Sequence, residues 1–238
     1  MVIIMAGIDL SVGAVSALSA IFVAGAISFW SLPIPLSIIV TLIMGAVFGT
    51  INGIIIAKFN ISAMIVTLAT MNAARGIAYL YNDGAQIIGL PDGFTDIGRG
   101  YLGPIPIPVI IMFVLVVLVF FVMKRTVFGK YLYAIGGNEE VARLAGINVV
   151  LIKVVSYGLC SALASVAGII YAARLNMGDP SMGSGLEMDA IASVVLGGIN
   201  LYGGQGSILG AVIGAMFISV LGNSLNLIGV SSFWQLVV

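Results

Sequence analysis

Two pairs of polar side chains in this sequence could do chemistry, and each pair stands at the start of an apolar run. Asp9 and Ser11 precede the first run, and Glu187 and Asp189 open a later, shorter one. Glu187 and Asp189 are two residues apart, so they do not share a helical face, which argues against a paired-carboxylate catalytic site. A carboxylate inside a membrane-spanning stretch is costly and functional by default. These side chains are therefore candidates for a polar path, and we expect no catalytic residues.

The residue types that most enzymes and metal sites need are missing. The sequence has no histidine, which excludes a Ser-His-Asp triad and argues against zinc or haem ligation. Its single cysteine, Cys160, excludes an internal disulfide. Gly129-Lys130 is followed by Tyr131 and lacks the upstream glycine of a nucleotide-binding loop. Nine basic and nine acidic residues leave no basic field. We expect no metal, no cofactor, no ATP site and no nucleic-acid partner.

The composition is that of a membrane protein. Hydrophobic residues make up 61% of the chain and charged residues 8%, and the mean hydropathy is +1.23. An ordinary soluble domain is about 25% charged, and a spanning helix needs about 20 apolar residues. Apolar segments A to G are recognisable at 10–29, 35–57, 61–81, 105–123, 154–173, 188–199 and 208–228. Segment F is too short to span comfortably, and the others predict an all-α polytopic transmembrane bundle.

Basic residues predict the orientation of the bundle, because cytoplasmic loops carry an excess of lysine and arginine. The polar stretch 124–153, called the island below, holds Lys124, Arg125, Lys130, Arg143 and Lys153. The connection 82–104 between segments C and D holds Arg99 alone among basic residues, beside three aspartates. We therefore predict that the island is cytoplasmic and that the connection lies outside. The segments and their charged ends thus predict a multi-pass chain in a lipid bilayer.

Small residues at four-residue spacing mark one face of several segments. Such faces let helix backbones approach closely in lipid. They are Gly45, Gly49 and Gly53 in segment B, Ala164, Gly168 and Ala172 in E, and Gly210 and Gly214 in G. We favour helix packing inside one subunit, and a subunit interface is the alternative.

The candidate path residues each have a structural alternative. Asp9 could cap a helix that begins at Leu10, which we favour, or line a path, and both hold if the helix is broken there. Segment F ends in Gly197-Gly198, and a glycine break at membrane depth must be shielded by protein or line a water-filled cavity. Segment F is therefore either pore-lining or a structural hinge.

Charged residues elsewhere also leave alternatives open. Arg75 in segment C could be a pathway charge or could extend toward the outer surface. Arg174, Asn176 and Asp179 follow segment E. They are candidates for contact with an external protein, although we favour a solvated loop.

The island contains a short capped helix. Gly136-Gly137 is predicted to break the chain, and Asn138 is an N-cap candidate. Glu139 and Glu140 occupy the first turn, where the helix dipole favours negative charge. Val141, Leu144 and Ala145 form a small apolar face, and Gly146 is a natural C′ residue. A helix of about two turns is marginal in water. It is either an ordinary loop helix or a docking element for a cytoplasmic protein.

Four stretches together resemble one family. Tyr133–Ile147, with its GGNEEVARLAGI core, resembles the coupling segment of ABC-importer permeases of the ribose and simple-sugar type. Gly7–Gly13 is similar to the GIDLSVG signature of that family, and Glu187–Gly198 to its E-x-D-A-I-A-x-V-V-L-G-G stretch. Asn223–Ser232 resembles the segment before its last helix. The similarity covers essentially the whole chain, in order.

The resemblance implies a fold of about ten transmembrane helices per subunit and transport by alternating access. It implies three protein partners: a cytoplasmic ABC ATPase, an extracytoplasmic substrate-binding protein and a second permease subunit, which makes a homodimer. The ATPase-coupling residues would be Gly137, Asn138, Glu139, Glu140, Arg143, Leu144 and Gly146. The translocation path would include Asp9, Ser11, Glu187, Asp189, Gly197 and Gly198. Residues 1–238 would form a single permease domain with its coupling loop at 124–153.

The two ends of the sequence also carry information. Residues 1–8 are apolar without a basic signal region, and residues 234–238 open a further apolar segment. We therefore expect a chain truncated at both ends, with seven to eight segments present. The GIDLSVG form favours a sugar. The alternatives are branched-chain amino acids, nucleosides or signalling furanones, or an ion-coupled secondary transporter that works without an ATPase.

Overall fold

The computed structural model describes residues 1–231 and Trp234, and within them the chain is almost entirely helical. The helices are α1 Val12–Ser28, α2 Ile34–Phe59, α3 Ala63–Leu80, α4 Asp92–Arg99, α5 Ile107–Arg125, α6 Val127–Gly137, α7 Glu139–Leu144, α8 Val149–Leu175, α9 Leu186–Leu196 and α10 Ile208–Leu227. A 3-10 turn occupies Ile3–Met5, and β1 Ile87–Ile88, β2 Tyr101–Leu102, β3 Ile105–Pro106 and β4 Met177–Gly178 pair as β1–β4 and β2–β3, both antiparallel. The truncated eighth segment predicted at 234–238 lies outside the described residues, apart from Trp234.

Five helices are long and apolar enough to cross a membrane: α2, α3, α5, α8 and α10. They coincide with predicted segments B, C, D, E and G, so the all-α polytopic fold is confirmed. Of the five, α5 and α10 are the least buried, and they expose apolar side chains over most of their length. A helix whose outer face is this apolar needs lipid or another hydrophobic surface around it.

Helix α1 is the centre of the bundle. Its 17 residues are apolar or small on every face, and nearly all of them are buried. A helix that is hydrophobic all round is stable only inside other protein or in a membrane. At about 25 Å it is shorter than the hydrocarbon core of about 30 Å, and α2, α3 and α8 pack around it. Segment A is therefore a helix, as predicted, but other helices surround it.

The small-residue faces pack helices within this chain. A Cβ added to Gly45, Gly49 or Gly53 of α2 would run into Ser165, the Tyr157 carbonyl or the Val154 backbone of α8. Gly210 and Gly214 of α10 meet the Gly197 and Ser193 carbonyls of α9 in the same way. The favoured interpretation, packing inside one subunit, is confirmed for these glycines.

Gly168 allows the closest approach of α8 to α1, and Gly168→Ala should destabilise the protein. Its new methyl group would be driven into the Ser16 backbone carbonyl, and overpacking of this kind costs about 1–3 kcal/mol. Gly76→Ala on α3 is the matched control, because a Cβ there meets no described atom within 4 Å. Thermal melting in detergent should show a lower melting temperature for Gly168→Ala only. Equal melting temperatures would show that the α1–α8 contact is loose.

After α8 the chain turns back along α1 instead of forming a loop beyond the helix ends. Asn176 ends α8 in the left-handed region, with a φ of 61°, and residues 177–185, called the re-entrant segment below, follow. Gly178 lies against Ala20 and Ala24, and Gly183 lies against Gly13. The segment therefore descends roughly 13 Å along α1. The stretch therefore packs along α1 through its glycines, while Arg174 and Ser181 stay exposed to solvent.

Two helices were missed in the sequence. Helix α4 lies in the connection 82–104, where Gly98 brings it against the backbone of Ala173 and Arg174. Helix α6 occupies the first half of the island, so the prediction that Gly136-Gly137 breaks the chain is wrong. Gly136 is helical and sits against the Ile4 carbonyl. The break falls one residue later, at Asn138, whose backbone is extended.

Candidate functional site

A buried polar network lies at the start of α1. Asp9 Oδ1 accepts hydrogen bonds from the Ser11 backbone N–H at 3.0 Å and from Ser11 Oγ at 2.5 Å. Helix α1 begins at Val12, with Ser11 as its N-cap residue and no side-chain cap bond. The prediction that Asp9 caps a helix beginning at Leu10 is therefore wrong. The aspartate instead closes a turn over residues 9–11 in front of the helix.

The network continues across two more helices. Asn52 Nδ2 of α2 donates to Ser11 Oγ at 3.2 Å, and Thr70 Oγ1 of α3 donates to Asn52 Oδ1 at 2.5 Å. Asn52 is fully buried, and a buried amide is stable only when its polar atoms are paired. Asn52 and Thr70 were missed in the sequence. The available signal was a lone amide in the middle of a long apolar helix.

Two carboxylate oxygens at this end of α1 stay unpaired. Asp9 Oδ2 and Glu187 Oε2 are buried, and no N–H or O–H group among the described residues donates to them. Glu187 reaches from α9 to the place where a Cβ on Gly13 would stand, and the Cys160 thiol lies beside Asp9. Unpaired buried acceptors call for a proton, a donor or a ligand hydroxyl. Asp9, Ser11 and Glu187 at the start of α1, called the polar point below, therefore place unpaired carboxylate oxygens inside the bundle.

The predicted path residues divide into two groups. Asp9, Ser11 and Glu187 are brought together around the first turn of α1. Asp189 is exposed in the first turn of α9. Gly197 and Gly198 lie at the other end of that helix, where Gly197 packs on the Gly210 carbonyl of α10. Helix α9 has 11 residues, so the prediction that segment F is too short to span is confirmed.

Arg75 supports the re-entrant segment. Its Nη1 donates to the Pro180 carbonyl at 2.8 Å and to the Met182 carbonyl at 2.6 Å. The guanidinium is therefore held by backbone oxygens instead of extending to the surface. Non-helical backbone next to a spanning helix must find such partners, because lipid offers none.

The polar residues after α8 bind other parts of the chain. Asn176 Oδ1 accepts from the Leu90 N–H at 2.8 Å, and Asp179 accepts from Ser181 and, at 2.7 Å, from Gln86 Nε2. The Arg174 carbonyl accepts from Arg99 Nε at 2.6 Å. The bonds to Leu90, Gln86 and Arg99 join the end of α8 and the re-entrant segment to the 82–104 connection.

Helix α7 of the island has the ends that the sequence predicted. Asn138 Oδ1 accepts from the Val141 N–H at 3.0 Å, which makes Asn138 its N-cap. Gly146 follows the C-cap in the left-handed region, with a φ of 84°. Ala142 packs inward, whereas Leu144 is 88% and Val141 60% exposed. The helix is fixed by its caps and by one buried side, and it presents an unpartnered apolar side to its surroundings.

The two glutamates of α7 have different surroundings. Glu139 pairs with Arg143 at 3.2 Å and with Lys153 of α8 at 2.6 Å. Glu140 is exposed and takes part in neither ion pair. Lys153 is mostly buried beside Glu139, and a shielded pair is worth more than a solvated one. Glu139 therefore attaches α7 to α8, and Glu140 belongs to the free surface.

A cavity of about 430 Å³ lies between the island and the polar network. Asn138, Glu139 and Lys153 line one side of it, and Gly7 and Tyr157 line the other. The Tyr157 hydroxyl donates to the Ile8 carbonyl at 3.4 Å, next to Asp9. Along the first turns of α8, the Glu139–Lys153 ion pair is therefore followed by the cavity and then by the Asp9 carboxylate. No cluster of three or more histidine, cysteine or carboxylate side chains suited to a metal occurs among the described residues.

This architecture defines a class: a polytopic helical membrane protein with a polar point inside and an exposed, capped helix at one end. The family model described as "Branched-chain amino acid transport system / permease component" matches residues 1–238. The chain belongs to this permease family, and it is a multi-pass protein of the inner membrane.

Individual relatives are permeases too. The chain is 44% identical over 240 residues to the ribose import permease protein of Haemophilus influenzae, covering 99% of this chain and 74% of the relative. It is 48% identical over 239 residues to the ribose import permease protein of Bacillus subtilis, covering 100% and 74%. A xylose transport system permease protein of Haemophilus influenzae is 35% identical over 298 residues, covering 100% and 80%. No solved structure matches the chain. The resemblance to the ribose-type permeases is thereby confirmed, and an ion-coupled secondary transporter is not favoured.

Proposed function

We propose that this chain is the membrane subunit of an ATP-driven importer for a simple sugar such as ribose. The names of its relatives support the substrate class. The observation that carries the ATP-driven part is α7, a capped helix with an exposed apolar side that an ion pair attaches to α8. ATP hydrolysis takes place on separate subunits that grip this helix. Residues 1–238 act as one permease domain, with 124–153 as its coupling loop.

The orientation follows from charge. The island faces the cytoplasm because it carries five basic residues. The end that carries α4 and β1–β4 faces outward and receives a sugar-loaded binding protein. A second copy of this chain completes the importer, and the path opens alternately to the two sides.

Each coupling residue has a separate role in this proposal. Asn138 and Gly146 set the ends of α7, and Gly137 ends α6 directly in front of it. Glu140 and Leu144 contact the ATPase. Glu139 and Arg143 transmit its movement through Lys153 to α8. Tyr157 lies one turn further along α8 and holds the Ile8 carbonyl beside Asp9.

Asp9, Ser11 and Glu187 form the polar point of the path. Their unpaired carboxylate oxygens accept hydrogen bonds from sugar hydroxyls, which are good donors. Asp189 continues this surface along α9, and Gly197 and Gly198 form the hinge at its end. No covalent step is needed, so none of these residues is catalytic.

Transport itself tests the proposal. The protein expressed from its native gene, with its ATPase and binding protein, is reconstituted in liposomes and offered labelled ribose, xylose or leucine. ATP-dependent uptake of a sugar is expected. Uptake of leucine instead would move the protein to the amino-acid branch, and uptake without ATP would overturn the ATP-driven mechanism.

Glu140→Lys should lower sugar uptake by about tenfold and reduce co-purification of the ATPase. The physical reason is that Glu140 is an exposed first-turn charge of α7 outside both of its ion pairs. Asp96→Lys is the matched control, an exposed acid of α4 at the opposite end. If both charge reversals leave ATPase co-purification intact, α7 is an ordinary loop helix.

A further inference from the structure

A second groove lies beside the island, between the end of α5 and the start of α10. Its volume is about 450 Å³. Phe120 and Met123 of α5 and Ile208 and Leu209 of α10 form its apolar wall. Lys124 and Lys130 stand at the same groove. The lining therefore combines a hydrocarbon surface with two positive charges.

The two lysines have no anionic partner in the described part of the chain. Both ion pairs found there belong to Glu139, and no acidic side chain lines the groove. Lys124 Nζ lies 5.3 Å from the centre of the Phe120 ring, a cation–π contact that holds the ammonium over the apolar wall. Two ammonium groups at one groove without a counter-charge favour an anionic occupant.

The apolar wall continues into the outer surface of the bundle. Helices α5 and α10 are the two least buried spans. Val117 and Phe121 on α5, and Ile213 and Phe217 on α10, are exposed beyond the groove. An occupant that matches the whole surface needs an anionic head at the lysines and long hydrocarbon chains along the two helices. A free anion would leave the wall uncovered.

The groove is built by the chain itself. The Tyr133 hydroxyl donates to the Gly206 carbonyl at 2.9 Å and thereby attaches α6 to the segment in front of α10. Partial burial raises the pKa of the Tyr133 phenol, so the hydroxyl remains a donor at neutral pH. Ser207 Oγ accepts from the Gly210 N–H at 3.0 Å and caps α10. These two bonds therefore fix α6, which carries Lys130, relative to the start of α10.

We propose that this groove binds one anionic phospholipid, with its phosphate between Lys124 and Lys130 and its acyl chains along α5 and α10. Basic pockets between spanning helices on the cytoplasmic side suit such headgroups. Through Tyr133 the lipid stabilises α6, which leads directly into α7. The site does not depend on which solute the protein carries.

The test is lipid binding by the purified full-length protein in mild detergent. Phosphatidylglycerol, phosphatidylcholine and inorganic phosphate are titrated, with melting temperature and native mass spectrometry as readouts. Phosphatidylglycerol alone should raise the melting temperature and remain bound. It should bind the Lys124→Gln/Lys130→Gln variant about thirtyfold more weakly, about fivefold for each lysine. Lys58→Gln, an exposed lysine at the same end on α2, should bind like the wild type.

Several outcomes would overturn the proposal. Equal binding of phosphatidylcholine would show that the groove binds lipids without selecting their headgroup. An equal shift of the melting temperature by inorganic phosphate would show that it is a site for a free anion. Unchanged phosphatidylglycerol binding with lost ATPase co-purification in the double variant would assign the lysines to a protein partner. If the double variant does not fold, the single variants and the selectivity of the wild type decide.

Discussion

Leu144→Asp should release the ATPase subunit from the permease while leaving the permease itself as stable as before. Leu144 is 88% exposed on α7, so the aspartate is fully solvated in the isolated protein. In the complex the same carboxylate would be buried in an apolar contact without a partner, which is strongly unfavourable. Losing a central apolar anchor costs about 2 kcal/mol or more. The dissociation constant should therefore rise at least about thirtyfold, and uptake should fall with it.

Titration of the purified ATPase onto permease-loaded nanodiscs measures this change directly. Leu102→Asp is the matched control, because Leu102 is 70% exposed on β2 at the opposite end of the bundle. Leu144→Met should keep most of the affinity. The docking role of α7 is wrong if Leu144→Asp and Leu102→Asp bind the ATPase equally well.

Arg75→Met should destabilise the permease and abolish most of its uptake. The change removes both hydrogen bonds to the re-entrant segment, at Pro180 and Met182, and leaves two carbonyl oxygens without donors. Each unsatisfied buried group costs about 1–3 kcal/mol. The melting temperature should fall by about 5 °C or more. The re-entrant segment leads into Glu187, so its displacement also disturbs the polar point at the start of α1.

Two further variants separate charge from hydrogen bonding. Arg75→Lys keeps the charge but replaces the planar guanidinium, whose Nη1 makes both bonds, with an ammonium on a flexible stem, so an intermediate melting temperature is expected. Arg99→Met loses one bond to the Arg174 carbonyl at a solvated end where water can replace it, so a small effect is expected. Equal melting temperatures for Arg75→Met and Arg99→Met would mean that the re-entrant segment is held by other contacts.

The parts of the fold that depend only on residues close together in the chain could be predicted from the sequence. A spanning helix is a single apolar run, and segments A to G correspond to observed helices because hydropathy alone determines them. The caps of α7 were predictable for the same reason, since Asn138 and Gly146 act on atoms within a few residues. Helix α4 was missed because it is short and polar, and hydropathy carries little signal for such a helix.

Individual residues of the candidate site could be predicted from the sequence, but their contacts with one another could not. Asp9 and Glu187 were each recognisable as costly carboxylates, but no local pattern shows that Glu187 reaches Gly13, in the first turn of the helix that Asp9 and Ser11 precede. The partners of Arg75 are more than 100 positions away in the chain, so its role depends on how the chain returns after α8. In the sequence, Glu139 and Glu140 have similar positions in the first turn. Only the position of Lys153 shows that Glu139 is the one paired with α8.

The burial of α1 also constrains how the protein is made. Ser19 of α1 donates to Ser165 of α8, a partner 146 positions later. A ribosome adding about 5–20 residues per second needs roughly 7 to 30 s to supply it. During that interval α2 and α3 are already made, but the nascent α1 lacks its α8 neighbour, and Ser19 faces lipid or the insertion machinery. Early release of α1 into the bilayer should therefore be a source of degraded chains, and assembly should proceed only once the second half has been translated.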